Sequence, residues 1–165
     1  MLVLGIDPGL NRTGYAVLRV RDKKLVEGGV LRTKPSESLA ERVYELRVGL
    51  LEVLAEHAID AAAIEQIFSL PKNPKTAVLM AHARGVILAT LAEHGLLPEH
   101  YTPRQIKKQL TGSGAADKAQ MQRAVQLELG LPNILEPNDV ADAAAIALCL
   151  ATSTAMRAAG EHHRG

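Results

Sequence analysis

A short apolar run at the amino terminus ends in a carboxylate and a tight turn, and this pattern limits the fold more than any other. Residues 2–6 read Leu-Val-Leu-Gly-Ile, and Asp7 and Pro8-Gly9 follow them. A residue before proline favours extended backbone, and Gly9 permits a sharp exit, so Asp7 is predicted to finish a strand. An active site can form at such a strand end. Asp7 could equally serve only to cap the turn, and other acids must distinguish the two interpretations.

The length and cysteine content predict one ordinary domain in a reducing compartment. We expect residues 1–157 to form a single domain and residues 158–165 to form a frayed tail. Cys149 is the only cysteine, which excludes an internal disulfide and a cysteine-rich zinc site. The longest apolar run, residues 143–151, is much shorter than the roughly 20 residues of a membrane span. No signal-peptide pattern is present, so a cytoplasmic protein without membrane contact is predicted.

Basic residues are concentrated in the middle of the chain. The formal net charge is only +1, but residues 66–127 contain eight lysines and arginines against three acids. This asymmetry favours a phosphate-binding face, although a solvated lysine face is the more usual explanation. The candidates for phosphate contact are Lys72, Lys75, Arg104, Lys107, Lys108 and Lys118.

Apolar runs, turn residues and helix caps predict an α/β fold with five strands. Residues 2–7, 15–21 and 24–33 are rich in Val, Leu and Ile and are typical of sequential antiparallel strands, with turns predicted at residues 11–14 and 22–23. Two more strands are predicted at residues 61–65 and 97–102. Helix starts are marked by Ser38 with Glu41 as a capping box, and by Asn73-Pro74, Thr102-Pro103, Asp117 and Asn138.

The helix predicted at residues 75–94 is apolar nearly all round. Ala81, Gly85 and Ala89 are spaced four apart and form a smooth stripe that a second helix could approach closely. The stripe could be covered by the chain's own domain or by a partner chain, and the pattern leaves both possibilities open.

Three further acids support the catalytic interpretation of Asp7. Glu65 ends a predicted strand as Asp7 does, and Asp139 and Asp142 are three apart on one face of the last helix. The helix dipole could account for one of those aspartates without any chemistry. Four clustered carboxylates without counter-charge would raise one another's pKa, whereas Mg²⁺ favours oxygen ligands. Two metal ions roughly 3.5–4 Å apart can activate water and stabilise the leaving oxygen, so phosphodiester hydrolysis is predicted.

Five segments in order along the chain carry a resemblance to a known family. They are Gly5-Ile6-Asp7-Pro8-Gly9 with Thr13-Gly14, Ile64-Glu65-Gln66-Ile67-Phe68, Ala83-Arg84-Gly85, Pro103-Arg104-Gln105-Ile106-Lys107, and Asp139-Val140-Ala141-Asp142-Ala143-Ala144-Ala145-Ile146-Ala147. Together they resemble the RuvC family of bacterial Holliday-junction resolvases over residues 2–150. The resemblance implies an RNase H-like fold, with a five-stranded mixed sheet whose first three strands are antiparallel and helices on both faces.

The resemblance also implies an activity and its partners. A homodimer would resolve four-way DNA junctions in recombination and repair by symmetric nicks in strands of the same polarity, leaving 5′-phosphate and 3′-hydroxyl ends. The branch-migration proteins RuvA and RuvB would be partners. The implied ligands of two Mg²⁺ or Mn²⁺ ions are Asp7, Glu65, Asp139 and Asp142.

Three residues outside the acidic set take roles only through the resemblance. Lys107 and Lys118 would assist near the scissile phosphate, and Phe68 would contact unstacked bases at the junction centre. Considered alone, Phe68 could plug its loop against the sheet, and both lysines could be solvated. The alternative functions are a resolvase-like nuclease that processes RNA and a non-catalytic junction-binding subunit. All four acids are retained, which argues against the second alternative.

Overall fold

A computed structural model describes residues 1–66 and 74–162, and it confirms the predicted five-stranded mixed sheet. The strands are β1 (Leu2–Asp7), β2 (Arg12–Arg19), β3 (Lys24–Arg32), β4 (Ala61–Glu65) and β5 (Glu99–Tyr101). The helices are α1 (Leu39–Glu56), α2 (Pro74–Glu93), α3 (Pro103–Thr111), α4 (Lys118–Glu128) and α5 (Asn138–His162).

The strand order β3-β2-β1-β4-β5 brings two acid-terminated strands side by side at the centre of the sheet. β1 pairs with β2 and β2 pairs with β3 in antiparallel orientation, as predicted. β4 lies parallel to β1, with Ile64 opposite Ile6, and β5 lies parallel to β4. Because β1 and β4 run in the same direction in this register, Asp7 and Glu65 end at the same edge of the sheet.

Two strands differ in extent from their predictions. β2 starts at Arg12, three residues earlier than predicted, because pairing with β3 already begins at Arg12 and Arg32. The residues assigned to a turn are therefore partly in the sheet. β5 is shorter than predicted because its pairing with β4 covers only Glu99 to Tyr101, and Leu97 before it is 84% exposed.

Side-chain caps fix three of the helix starts at their predicted positions. Each cap side chain accepts a hydrogen bond from the backbone N–H three residues on, and the side chain of that residue accepts one from the backbone N–H of the cap; the caps are Ser38, Thr102 and Asp117. The proposed cap Asn73 lies outside the described residues, and α2 begins at Pro74 as expected. α5 continues to His162, into the segment predicted to be a tail, and residues 163–165 are outside the described part of the chain.

Helices cover both faces of the sheet and divide the core in two. α5 packs on one face, where α3 and α4 join it, and α1 and α2 pack on the other. Both α2 and α5 are long and apolar enough to cross a membrane by length and composition alone. Most of α5 between Val140 and Ala151 is buried in the core, which accounts for its apolar composition.

The backbone of α5 lies almost directly on the sheet at two glycines. A Cβ atom on Gly5 would lie 2.3 Å from the carbonyl oxygen of Ala143 and 2.5 Å from the nitrogen of Ala147. A Cβ atom on Gly14 would lie 2.1 Å from the carbonyl oxygen of Asp139. Because no side chain separates the two elements, the first turns of α5 have a fixed position relative to the end of β1.

We predict that Gly5→Ala lowers the free energy of unfolding by more than about 3 kcal/mol, because the added methyl group meets rigid backbone rather than a flexible side chain. Urea denaturation measures the change. Gly49→Ala on α1 is the control, since its Cβ would meet only the flexible end of Leu31, at 3.0 Å, and alanine favours the helix. Equal stability of the two variants would contradict the close packing of α5 on β1.

Candidate active site

Three of the four predicted acids line one open cleft at the carboxyl edge of β1 and β4. Asp7 and Glu65 extend from the strand ends, and Asp142 extends from the second turn of α5 on the same face of the sheet. The cleft has a volume of about 300 Å³. Pro103, Ile106, Met121 and Ala145 form its apolar walls. The local apolar environment and the exposed mouth together allow a charged ligand to enter and interact strongly with the acids.

Two lysines line the same cleft from α3 and α4. Lys118 is the first residue of α4, directly after the cap Asp117, and its Nζ lies 3.5 Å from an Asp142 carboxylate oxygen. Lys107 lowers the pKa of Glu65 through its positive charge. Both lysines singled out in the sequence are therefore beside the acids rather than on a remote surface.

The fourth acid, Asp139, is paired with an arginine that the sequence reasoning did not select. Its Oδ2 atom accepts a hydrogen bond from Arg12 Nη2 at 2.5 Å, and both side chains are partly exposed. Asp139 is still near the cleft, because its charge contributes to raising the pKa of Asp7. The sequence did not predict this contact because Arg12 was expected to lie in a turn. In the structure Arg12 belongs to β2, and the pairing of that strand directs its side chain towards α5.

Burial and mutual repulsion hold the acids towards their protonated forms. Burial raises the pKa of Asp7 from 3.8 to about 8, with further increases from the charges of Glu65, Asp142 and Asp139 and an opposing effect from Lys118. Burial and the charge of Asp142 raise the pKa of Glu65. The pKa of Asp142 is also raised, mainly by burial, against the effect of Lys118. The neighbouring lysines thus offset only part of the cost of ionising the acids.

A second arginine, Arg84 on α2, supports the end of β4. It donates one hydrogen bond to the backbone oxygen of Glu65, and its other nitrogen lies 2.5 Å from His100 Nδ1 on β5. Its charge lowers the pKa of the Glu65 carboxyl. The sequence reasoning counted Arg84 only as a basic residue, although its place in the Ala83-Arg84-Gly85 segment was a signal of importance.

The remaining predicted DNA contacts that the structure describes are not gathered in the cleft. Lys108 lies on the other side of α3 with Tyr101 and Gln109, and the side chain of Arg104 packs over Gly114. Lys75 is exposed in the first turn of α2. Two further predicted contacts, Phe68 and Lys72, lie outside the described residues.

A separate group with potential metal ligands lies on the α1 side of the sheet. Carboxylate oxygens of Glu27 and Glu56 and a ring nitrogen of His57 are within 4.8 Å of one another. Glu27 already accepts a hydrogen bond from Tyr15 at 2.5 Å and contacts His57. These interactions satisfy Glu27 without an ion, and the group is on the face opposite the cleft.

The donor set of the cleft fits hard divalent cations. Asp7, Glu65 and Asp142 offer only oxygen atoms. Their pKa values are raised mainly by burial and further by the charges of neighbouring acids, so a bound cation would stabilise the ionised carboxylates. Such a cluster favours Mg²⁺ or Mn²⁺ over the softer metals that require nitrogen or sulfur ligands.

Comparisons with known proteins agree with the geometry. The family described as "Crossover junction endodeoxyribonuclease RuvC" matches residues 3–150. A relative of that description from Rhodopirellula baltica is 52% identical over 149 residues, which cover 89% of this chain and 84% of the relative. The solved structure of Thermus thermophilus RuvC is 36% identical with a TM-score of 0.87, covering 94% and 96% of the two chains. A structure of the same protein with a Holliday junction substrate has a TM-score of 0.86, 33% identity and the same coverage.

We predict that the metal-free protein loses stability as the pH rises from about 4 to about 8. In this range the unfolded chain releases the Asp7 proton while the folded chain retains it, so the free energy of unfolding falls by at most about 1.4 kcal/mol per pH unit. Above about pH 8 the contribution of Asp7 is constant. Urea denaturation in a chelator at several pH values measures the slope.

Asp7→Asn should flatten this pH dependence, because the amide does not titrate. Asp22→Asn is the control, since a hydrogen bond from Arg19 lowers the pKa of that exposed acid, the opposite direction to the shift of Asp7. An identical slope for the wild type and Asp7→Asn would contradict the buried position of Asp7.

Proposed function

This chain belongs to the RuvC family of crossover junction endodeoxyribonucleases, and we propose that its cleft, which three acids and two lysines line with Asp139 nearby, cleaves four-way DNA junctions. The chain has the RNase H-like fold of that family, as the resemblance implied. It is a nuclease, which weighs against a non-catalytic subunit, and its family cleaves DNA, which makes an RNA-processing enzyme the weaker alternative. The observation that carries the proposal is the position of Asp7, Glu65 and Asp142 in one cleft that a phosphodiester can enter.

We propose that the four acids hold two Mg²⁺ or Mn²⁺ ions. Asp7 is central, because the other three acids all raise its pKa and therefore lie close to it. Glu65 and Asp142 would complete the set from β4 and α5, and Asp139 would join it from the turn before Asp142. When bound, such a pair supplies a hydroxide nucleophile and stabilises the leaving oxygen.

The two lysines would position and neutralise the phosphate. Lys118 is 57% exposed and reaches Asp142, so its ammonium group can contact a phosphate oxygen at the cleft mouth while it remains beside the acids. Lys107 would act from α3 on the Glu65 side. Positive groups fixed at these positions favour the additional negative charge of the transition state.

The rest of the junction would be bound outside the cleft. The solved T. thermophilus RuvC complex contains a Holliday junction substrate, which supports the same substrate class for this chain. We propose phosphate contacts for Lys72, Lys75, Arg104 and Lys108, and base stacking for Phe68. The products would be symmetric nicks with 5′-phosphate and 3′-hydroxyl ends. We also propose that the protein acts in the bacterial cytoplasm with RuvA and RuvB.

A homodimer formed through α2 would supply the second nick. Ala83, Ile87 and Leu91 bury one side of α2 against the core. On the other side, Val78 is 55% exposed, and nothing lies within 4 Å of the position of a Gly85 Cβ. The exposed side therefore combines apolar surface with room for close helix packing.

The activity test compares a four-way junction, a plain duplex and an RNA hairpin, with Mg²⁺, with Mn²⁺ and in a chelator. We predict that only the junction receives paired nicks and only with metal. Asp7→Asn should abolish cleavage and leave junction binding intact, because it removes a metal ligand and keeps the basic surface. Cleavage near the wild-type rate by this variant would refute the assignment of the acids, and cleavage of RNA alone would favour the RNA-processing alternative.

Lys118→Ala should affect both cleavage and binding. We predict slower cleavage and a salt dependence of junction binding that is less steep by about one phosphate contact. Lys24→Ala, at the start of β3, removes the same charge outside the cleft and is the control. If Lys118→Ala changes neither the cleavage rate nor the salt dependence of binding, Lys118 is a solvated surface lysine without a role in the site.

Gly85→Glu should convert the proposed dimer to a monomer, because it places an unpaired charge at the centre of the helix contact. Sedimentation measures the state. Leu127→Glu is the control, since Leu127 is 73% exposed on α4, away from α2. A Gly85→Glu protein that sediments as the wild-type dimer would exclude this face as the interface.

A further inference from the structure

Arg12 is held beside Asp139 by the geometry of β2. Residues 12 and 14 are two apart on a strand, so they face the same side of the sheet. On that side Gly14 touches the backbone of Asp139, which fixes the distance between β2 and the first turn of α5. The Arg12 guanidinium therefore reaches the Asp139 carboxylate from a position set by the backbone.

Arg12 also borders a second cleft, which none of the four acids lines. This cleft, of about 260 Å³, lies between the β1–β2 turn at Pro8 and Asn11 and the start of α2 at Thr76 and Met80. The Arg12 side chain is 42% exposed. Its guanidinium consequently lies at the boundary between the acidic cluster and a groove that is open to solvent.

The contact occupies one of the two oxygens that Asp139 could offer to a metal ion. A divalent cation and a guanidinium are both attracted to the same carboxylate, and each weakens the hold of the other by charge repulsion. A guanidinium released from a carboxylate retains a planar set of donors that matches a phosphate group.

We propose that Arg12 is a phosphate-binding residue with two alternative partners. When a metal ion binds the Asp139 carboxylate, Arg12 leaves Asp139 and binds a backbone phosphate of the junction strand in the second cleft. In the protein without metal or DNA, Arg12 neutralises Asp139 and opposes metal binding. In the complex, the phosphate replaces Asp139 as the partner of Arg12. The inference rests on the proposed metal-binding role of the acids.

The first test is calorimetry of Mn²⁺ binding to the DNA-free protein. Arg12→Gln should bind Mn²⁺ roughly three- to tenfold more tightly than the wild type, because the competing cation is gone. Arg19→Gln is the matched control, since Arg19 ends the same strand and pairs with Asp22, and it should bind as the wild type does. Arg12→Lys, which keeps the charge without the planar donors, should lie between the two.

The second test is a double-mutant cycle on junction binding in a chelator, where no cleavage occurs. Asp139→Asn should strengthen junction binding more in the wild-type background than in the Arg12→Gln background. Only in the wild-type background does the substitution free the Arg12 guanidinium to bind a phosphate. The salt dependence of Asp139→Asn should also exceed that of the double variant by about 0.9 in logarithmic slope, which corresponds to one phosphate.

The outcomes separate this inference from the proposed function. Equal Mn²⁺ affinity of Arg12→Gln and Arg19→Gln would overturn the competition, and equal gains from Asp139→Asn in both backgrounds would overturn the phosphate contact. If Asp7→Asn binds Mn²⁺ like the wild type, the metal assignment itself is wrong. Circular dichroism and thermal melting of each variant establish that the comparisons are made between folded proteins.

Discussion

The contact of the α5 backbone with β1 and β2 determines where the candidate site forms. Gly5 and Gly14 have no side chains to separate the helix from the sheet; Ala143 and Ala147 face Gly5, and the backbone of Asp139 faces Gly14. Because side chains do not cushion this contact, the first turns of α5 have little freedom to slide or rotate. Asp142 is thereby placed beside the strand ends without any direct bond to Asp7 or Glu65 being required. The position of the acids is a result of core packing.

The same packing brings several carboxylates together in a buried place, and the neighbouring cations offset only part of the cost of ionising them. Burial and repulsion raise the pKa values of three acids, while Lys118 and Arg84 oppose the effect for Asp142 and Glu65. These cations offset the effect only in part, because the pKa values of all three acids remain raised. Stability without metal is therefore lower than the core alone would provide, which is a common property of sites built to bind cations.

Local signals in the sequence were sufficient for the helix starts and for the acids. The caps Ser38, Thr102 and Asp117 act within four residues of chain, and a strand end followed by Pro8-Gly9 is equally local. Contacts between distant segments were not accessible in the same way. The pairing of Arg12 with Asp139 depends on the register of β2 and on the close approach of α5, and neither leaves a pattern in neighbouring residues. The early start of β2 was missed for the same reason.

Arg84 gives α2 a second role that affects how oligomerisation experiments are understood. One side of this helix carries the exposed apolar surface, and from the same helix Arg84 holds the carbonyl of Glu65 and reaches His100. A substitution that separates the protomers of the proposed dimer can therefore also displace Glu65, a proposed metal ligand, within each protomer. Loss of cleavage in a monomeric variant would not by itself demonstrate that two sites must act together. Mixed dimers containing one intact and one inactive site would separate the two causes.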